Sequence, residues 1–388
     1  MRMFTLLFAL LVFPGYAGAQ SPVSSDAEVE KIAEGFEFVE GPVWMDSSLL
    51  FSDIPANTIY QWTESDGIRE FLSPSGQSNG LALDSAGHLL LAQHAERQVA
   101  RLQENGTWTA LATEYQGKRL NSPNDMAIKS DGSVFFTDPP YGIQPHQEEL
   151  GFYGIYRYSA DGELYLLDQS LNRPNGIVFS PDESHLYVND SETRRIYVWD
   201  VQDDSVLVNK RQFAYMQPHG YADGMAVDAA GHVYSTGPIG VWVFAPDGTV
   251  LDTIAVPGQT SNCTWGDADR RTLYITSGDA VYRIRVDALS RVKDAQGRGH
   301  SDEFGLAANY PNPFNESTRV RFKLDCAGFT RFDVYNARGQ CVQTLMQNYV
   351  DAGVHTFAWN ASDMSGGAYI IRMVSEDRVS IRKCTLLR

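Results

Sequence analysis

Six polar residues with oxygen-bearing side chains recur along the chain, each at the start of a similar sequence unit. They are Glu40, Asn79, Asn124, Asn175, Asp223 and Asn262, each followed by Gly, Asp or Cys and a short apolar run. Two are carboxylates, and none is His or Cys. Such hard oxygen donors suit Ca²⁺, or Mg²⁺ and Mn²⁺ in its place, better than a structural Zn²⁺.

A simpler explanation of this pattern is local turn formation. Asn-Gly and Asp-Gly are common turn dipeptides, and this would account for Asn79 and for Asn262. It accounts poorly for Glu40, which has little turn preference and precedes Gly-Pro. We therefore expect a cation site, with the carboxylates and the amides opposite them as ligands.

The spacing of the six units indicates the fold that would bring these residues together. The units begin 39 to 51 residues apart, which brackets the ~40–45 residues of a four-stranded propeller blade. Their strands are rich in β-branched and aromatic residues with Gly and Asp turns between them. An open β-sandwich would not explain six copies in register. The sequence predicts an all-β six-bladed β-propeller over residues 21–290, with the six residues in a ring around its axis.

The second strand of each unit runs back to the same rim, so its last residue should also face the channel mouth. Those residues are Asp53, His94, Asp138, Asp190 and Ser277. Asp138 is followed by an insertion at 143–152, and a second insertion at 211–221 contains His219. Long loops on a rigid scaffold often form substrate walls. They can equally be passive surface, and a plain loop histidine is the better interpretation of His219.

The two ends of the chain differ from the repeat. Residues 1–20 have a positive start, an apolar run at 6–13 and the small residues Ala17-Gly18-Ala19, which is typical of a cleaved signal peptide; a buried core helix is the alternative. The run is shorter than the ~20 residues of a membrane span, and no later segment is long and apolar enough. A net charge of −17 makes nucleic acid an improbable partner.

The C-terminal part has its own pattern. Residues 291–306 are polar and Gly-containing and indicate a linker, and short alternating strands over 307–388 predict a small β-sandwich. Cys263 should be a buried free thiol in the propeller. An exported protein could form one disulfide among Cys326, Cys341 and Cys384, but the sequence does not decide which pair.

At these motifs the chain resembles the senescence-marker-protein/regucalcin/gluconolactonase family over about residues 30–290, most of all its bacterial gluconolactonase branch. The matching stretches are Glu40-Gly-Pro-Val-Trp44, Ser122-Pro-Asn124-Asp125, Thr137-Asp-Pro-Pro-Tyr-Gly142, Arg173-Pro-Asn-Gly176 and Ala222-Asp-Gly224. The resemblance implies that Glu40, Asn175 and Asp223 bind a divalent cation, that Asn124 contributes near the metal and substrate, and that Asp223 is the general base. The animal proteins carry a basic residue where this chain has Ser122, a departure that concerns sugar-acid specificity.

The C-terminal domain resembles the sorting domain of type IX (Por) secretion, which has an immunoglobulin-like fold. The matching stretches are Asn309-Tyr-Pro-Asn-Pro-Phe-Asn315, Val334-Tyr-Asn-Ala-Arg-Gly339, Gly366-Gly-Ala-Tyr369 and Arg382-Lys-Cys-Thr-Leu-Leu-Arg388. The resemblance implies recognition by the secretion machinery and a place outside the cell or on its surface. The alternative, a carbohydrate- or partner-binding sandwich, lacks an obvious aromatic platform.

Together these observations predict a secreted, metal-dependent lactonase. Ca²⁺ is the expected cofactor, with Zn²⁺, Mg²⁺ or Mn²⁺ possible, and Asn124, Asp138 and Asn262 are expected to contact a lactone or ester substrate. The chain has no Gly-x-Ser-x-Gly motif for a serine hydrolase. Two alternatives stay open: a propeller esterase or phosphotriesterase with the same metal site, and a non-catalytic propeller stabilised by its ion.

Overall fold

The computed structural model describes residues 21–24, 26–202, 206–217, 220–286, 305–306, 314–324, 327–336, 341–362, 364–375 and 378–387. The predictions for the signal peptide, His219, Cys326 and nearly all of the linker lie outside these residues. In the described part, regular structure is β-strand apart from one short 3₁₀ turn at Pro145–Gln147. No helix in that part is long and apolar enough to cross a membrane.

Six four-stranded antiparallel sheets, here called blades 1 to 6, follow one another in the described chain. Blade 1 comprises Val39–Met45, Ser48–Asp53, Thr58–Thr63 and Gly67–Leu72. Blade 2 comprises Ser78–Leu83, Leu89–Gln93, Gln98–Leu102 and Trp108–Ala112. Blade 3 comprises Met126–Ile128, Val134–Asp138, Gly154–Tyr158 and Leu164–Asp168. Blade 4 comprises Pro174–Phe179, His185–Asp190, Arg195–Gln202 and Val206–Tyr215. Blade 5 comprises Met225–Val227, Val233–Gly237, Gly240–Phe244 and Val250–Ala255. A small hairpin, Glu114–Tyr115 with Lys118–Arg119, lies between blades 2 and 3.

Blade 6 closes the ring by using both ends of the propeller. Thr260–Gly266, Thr272–Ser277 and Ala280–Arg285 are joined by the N-terminal strand Val29–Glu34 as the outermost strand. The first strands of successive blades contact one another around a closed circle, including blade 6 with blade 1. The predicted six-bladed propeller is therefore confirmed.

Apolar and aromatic side chains fill the spaces between neighbouring blades. The second strands are almost wholly buried, as in Leu89–Gln93. Phe135 of blade 3 packs edge-on against Phe179 of blade 4, with ring centroids 4.9 Å apart. Trp44 of blade 1 stacks on Tyr274 of blade 6 at 5.1 Å. The core is thus a ring of interfaces, which leaves the axis to polar residues.

In each blade two residues, in the first strand or directly before it, lie opposite a single residue of the second strand, as in a β-bulge. Glu40 and Gly41 lie opposite Ser52 in blade 1, and Ser261 and Asn262 lie opposite Thr276 in blade 6. We call the first residue of each pair the mouth position and the second the inner position. The mouth positions are Glu40, Asn79, Asn124, Asn175, Asp223 and Ser261; the inner positions are Gly41, Gly80, Asp125, Gly176, Gly224 and Asn262.

The prediction that Asn262 occupies the sixth position of the ring is therefore wrong by one residue. Ser261, not Asn262, is equivalent to Glu40 and Asp223. The Ser261 hydroxyl donates to the carbonyl of Val39 at 2.7 Å and so links blade 6 to blade 1. Asn262 lies one residue further along the strand, at the position that is glycine in four blades.

Glycine at four inner positions allows neighbouring blades to approach closely. A Cβ atom on Gly41 would lie 2.1 Å from the carbonyl oxygen of Asn79, and one on Gly80 would lie 2.4 Å from that of Asn124. The Gly80 amide donates to this Asn124 oxygen at 2.8 Å. Since Asn79-Gly80 lies within a strand, close packing rather than a turn explains the dipeptide.

The C-terminal domain consists of two packed sheets, which confirms the predicted β-sandwich. One sheet contains Gly305–Leu306, Ser317–Leu324 and Gly353–Asn360; the other contains Phe314–Asn315, Gly328–Asn336, Cys341–Val350, Gly367–Ser375 and Arg378–Leu387. Phe322, Phe332 and Trp359 are buried between them. Cys263, Cys341 and Cys384 are free thiols, and Cys263 is buried as expected. The exact domain boundaries stay a prediction.

Candidate functional site

Four of the predicted site residues meet at the mouth of the channel. Glu40, Asn124 and Asn175 are 3%, 3% and 5% exposed, whereas Asp223 is partly exposed. They come from blades 1, 3, 4 and 5. The bulges described above place all four at equivalent positions, and their blades surround the axis. The arrangement brings two carboxylates and two amides to one end of the channel.

Two further polar side chains occupy inner positions behind them. Asp125 Oδ1 accepts a hydrogen bond from the Met126 amide at 2.9 Å, and Asn262 Oδ1 accepts one from the Cys263 amide at 2.8 Å. The Asn262 side chain also hydrogen-bonds the carboxyl groups of Glu40 and Asp125. Because its oxygen already accepts from the backbone, the Asn262 amide nitrogen is the group available to both carboxylates.

Burial disfavours the charged forms of the three carboxyl groups at the mouth and inner positions, and the charges of neighbouring carboxylates add to this effect for Glu40 and Asp223. Burial, together with the negative charge of Asp125, raises the pKa of Glu40 to about 8. Burial raises the pKa of Asp125 to about 6. The pKa of Asp223 is raised well above its ordinary range by burial and by the charges of Glu40 and Asp125. Among the described residues, no lysine or arginine contributes to these shifts.

Neighbouring side chains fix the orientation of the mouth amides. Asn175 Nδ2 donates to Ser191 Oγ at 3.0 Å, so its Oδ1 is the atom left for the channel. Asn79 Nδ2 lies 3.4 Å from His94 Nε2. Burial lowers the pKa of His94 to about 4, which makes it a neutral acceptor at physiological pH. Both amides therefore have an oxygen available for a cation or a substrate.

The loop directly after Asp138 brings Tyr141, which was not among the predicted site residues, to the mouth. The Tyr141 hydroxyl hydrogen-bonds the side chains of Ser191 and Asn175. Burial raises the pKa of Tyr141, and the negative charge of Asp223 adds to this increase. Ser122 is fully buried; its hydroxyl donates to the Pro139 carbonyl at 2.6 Å and accepts from the Gly142 amide at 2.8 Å. Ser122 thus anchors the loop that carries Tyr141.

Asp138 is fully buried, and its carboxylate contacts the backbone. Its Oδ2 accepts from the Asn121 amide at 2.8 Å, three residues before Asn124. Asp53 and Asp190 make the same contact in their blades, with the amides of Glu37 and Asn172. These aspartates hold the chain as it enters the first strand. This placement favours a positioning role for Asp138 over direct contact with substrate.

The channel continues beyond the inner positions as a cavity of about 390 Å³. Asp125 and Asn262 line it together with apolar residues such as Trp44, Met126 and Phe179. Apolar walls around the carboxyl groups account for the burial that raises their pKa values. Asp125 was not among the predicted site residues. An acidic residue at an inner position, which is glycine in four of the six blades, could have identified it from the sequence.

The chain matches known proteins in both of its parts. Residues 38–279 match the SMP-30/gluconolactonase/LRE-like region, and residues 308–386 match the secretion system C-terminal sorting domain. A gluconolactonase of Zymomonas mobilis subsp. mobilis is 36% identical over 289 residues, which cover 66% of this chain and 81% of that protein. The sorting domain directs the chain by type IX secretion to the cell surface or beyond.

Solved structures agree with this assignment. The gluconolactonase XC5397 from Xanthomonas campestris is 34% identical with a TM-score of 0.64, over 68% of this chain and 91% of that one. A regucalcin from Agrobacterium tumefaciens has the same fold at 20% identity, with a TM-score of 0.59 over 68% of this chain and 96% of that one. The family match spans most of the propeller and contains all six mouth positions, so this chain belongs to the SMP-30/gluconolactonase/LRE-like family.

Proposed function

We propose that the protein is a secreted, divalent-metal-dependent lactonase that hydrolyses sugar lactones, with Glu40, Asn124, Asn175 and Asp223 holding the cation. The observation that supports it most is the buried group of carboxylates and amide oxygens at the channel mouth. The family is generally metal-dependent, and lactonases stand among the relatives. Ca²⁺ is the expected ion, with Mg²⁺, Mn²⁺ or Zn²⁺ as substitutes.

The residues present fit a hard divalent cation. Glu40 and Asp223 are carboxyl groups without a basic partner among the described residues, and the charge of Glu40 raises the pKa of Asp223. A cation would relieve that repulsion. No three acidic, His or Cys side chains of the described residues form a metal site by themselves, so the amide oxygens of Asn124 and Asn175 are needed to complete the ligand set.

The cation would polarise the lactone carbonyl and stabilise the oxyanion that develops there. A bound cation would offset the repulsion that raises the pKa of Asp223 and would keep this carboxylate ionised. Asp223, the partly exposed carboxylate of the group, could then take a proton from water as the water oxygen bonds to the carbonyl carbon. The ring C–O bond then breaks and the released ring oxygen takes up a proton. Asn175 is held by Ser191 and hydrogen-bonds Asp223, so the two side chains are positioned together.

Two other functions use the same residues. A diisopropyl-fluorophosphatase of Loligo vulgaris is 27% identical over 162 residues, 38% of this chain and 51% of that protein. A phosphotriester or aryl ester is therefore a second candidate substrate. A non-catalytic propeller with a structural ion is the third possibility, since carboxylates on the axis can also serve stability alone.

The decisive experiment is a hydrolysis assay of the purified protein before and after removal of metal. Proton release from a gluconolactone panel should cease on chelation and return with Ca²⁺, Mg²⁺, Mn²⁺ or Zn²⁺. Glu40→Gln and Asp223→Asn should abolish it, whereas Asp247→Asn, in an exposed turn of blade 5, should not. Turnover confined to aryl esters or phosphotriesters would replace the proposed substrate. Absence of all turnover in metal-loaded, folded protein would refute catalysis.

A further inference from the structure

Arg173 brings a positive charge to the side wall of the channel mouth. Its guanidinium carbon lies 5.8 Å from the ring centroid of Tyr141 and 5.6 Å from that of Tyr153. The Tyr141 hydroxyl reaches Asn175 at the mouth, so a single tyrosine side chain spans the distance between the guanidinium and the proposed metal ligands.

The backbone around Arg173 is firmly held. The Arg173 amide donates to Asp190 Oδ1 at 3.2 Å, and the Ser191 amide donates to the Arg173 carbonyl at 3.0 Å. Arg173 lies two residues before Asn175, within the same segment that Asp190 anchors. Arg173 and the mouth residue Asn175 are therefore carried by the same anchored segment of backbone.

The charge of Arg173 is not satisfied by a close ion pair. The nearest carboxylate oxygen, on Glu192, lies 4.0 Å away, and the two side chains are 39% and 64% exposed. Within the described residues the guanidinium donates no hydrogen bond. A guanidinium over tyrosine rings is attracted to them by its charge, and its N–H donors stay free for a planar acceptor, typically a carboxylate.

We propose that Arg173, held between Tyr141 and Tyr153, forms a subsite for a carboxylate on the lactone, so that the favoured substrate is an acidic sugar lactone such as an aldaric acid monolactone. This inference rests on the proposed lactonase function. The carboxylate remote from the ring is bound and unchanged, while the lactone carbonyl lies at the mouth ligands. The product would be an open-chain dicarboxylate.

The test compares two lactones that differ only at the remote carbon: the 1,4-lactone of D-glucaric acid and the 1,4-lactone of D-gluconic acid. The wild type should favour the acidic lactone in kcat/KM by about 10-fold or more, as expected for a charged hydrogen bond. Arg173→Gln should lower kcat/KM for the acidic lactone by about 10- to 100-fold and for the neutral one by less than about threefold. Arg157→Gln is the matched control, since Arg157 also lies over a tyrosine and near a carboxylate, Tyr165 and Asp131.

Equal losses for the two lactones in Arg173→Gln, or no preference in the wild type, would overturn the subsite while leaving the lactonase function intact. A binding measurement separates the two proposals if neither lactone is hydrolysed. The ratio of the dissociation constants of gluconate and glucarate should then fall in Arg173→Gln relative to the wild type and to Arg157→Gln. An unchanged ratio would overturn the subsite as well.

Discussion

Gly224 of blade 5 lies against the side chain of Asn262 in blade 6, so closely that a Cβ atom on residue 224 would be 2.0 Å from Asn262 Cγ and Oδ1. The absence of a side chain at one inner position thus makes room for the side chain at the next. Asn262 uses this room to hydrogen-bond Glu40 and Asp125. Glycine is required here by its neighbour.

Gly224→Ala should therefore destabilise the propeller. The methyl group would force Asn262 out of place, and overpacking of this kind costs about 1–3 kcal/mol in the free energy of unfolding. Denaturant unfolding of the variant measures the loss. Asn262→Ala in the Gly224→Ala background should recover part of it, because the clashing Cγ and Oδ1 are then absent. Purely additive effects in this double-mutant cycle would contradict the steric explanation.

Much of the propeller could be predicted because all six blades share one sequence pattern. Spacing, turn residues and apolar strands are local properties, and they gave the number of blades and five of the six mouth positions. The sixth was misplaced because Asn262-Cys263 fits the pattern of a polar residue followed by a small one. Only the pairing of Asn262 with Thr276 reveals that Ser261 occupies the mouth position.

Other parts of the site depend on contacts that no local pattern contains. Tyr141 reaches the mouth because its loop is fastened by Ser122, a contact between residues on different segments. Asp138 was expected to face substrate because its strand ends at the rim. Its carboxylate instead turns back to the Asn121 amide. Strand direction can be predicted from the sequence, but the final direction of a side chain is set by the hydrogen-bond donors it meets.

The burial of Asp138 predicts a pH dependence of stability. Burial raises its pKa to about 7 from an ordinary value of 3.8, so the folded protein binds more protons than the unfolded chain between these values. The contribution of this group is fully present below the lower pKa and is lost as the pH rises through the higher one. The free energy of unfolding of the wild type should fall relative to Asp138→Asn by up to about 2–3 kcal/mol between pH 5 and pH 8.

Denaturant unfolding across this pH range tests the prediction. Asp247→Asn is the control, because Asp247 lies in an exposed turn of blade 5 and its hydrogen bond with the Thr249 amide lowers its pKa. A wild type and an Asp138→Asn variant that change in parallel with pH would show that Asp138 stays charged in the folded protein.

Metal binding should increase the free energy of unfolding. If Glu40 and Asp223 hold a divalent cation, Ca²⁺ at roughly 100 times its dissociation constant should raise the free energy of unfolding by about 2.7 kcal/mol. Glu40→Gln and Asp223→Asn should reduce or abolish this increment, and Asp247→Asn should keep it. Unfolding in chelator and in added Ca²⁺ provides the comparison. An increment of wild-type size in both mouth variants would place the cation elsewhere.

Ser122→Ala should weaken the site without touching its ligands. The change removes a hydroxyl that bridges the Pro139 carbonyl and the Gly142 amide, at about 0.5–1.5 kcal/mol for each lost hydrogen bond. The loop that carries Tyr141 should then exchange its amide hydrogens faster, and kcat/KM should fall by about 3- to 30-fold because Tyr141 is less well held. Ser133→Ala is a matched control, since Ser133 is equally buried in blade 3 and bonds Arg157 instead. If both variants lose stability alike but only Ser122→Ala changes hydrogen exchange at 139–142 and turnover, the loop is the cause; identical turnover in the two would exclude it.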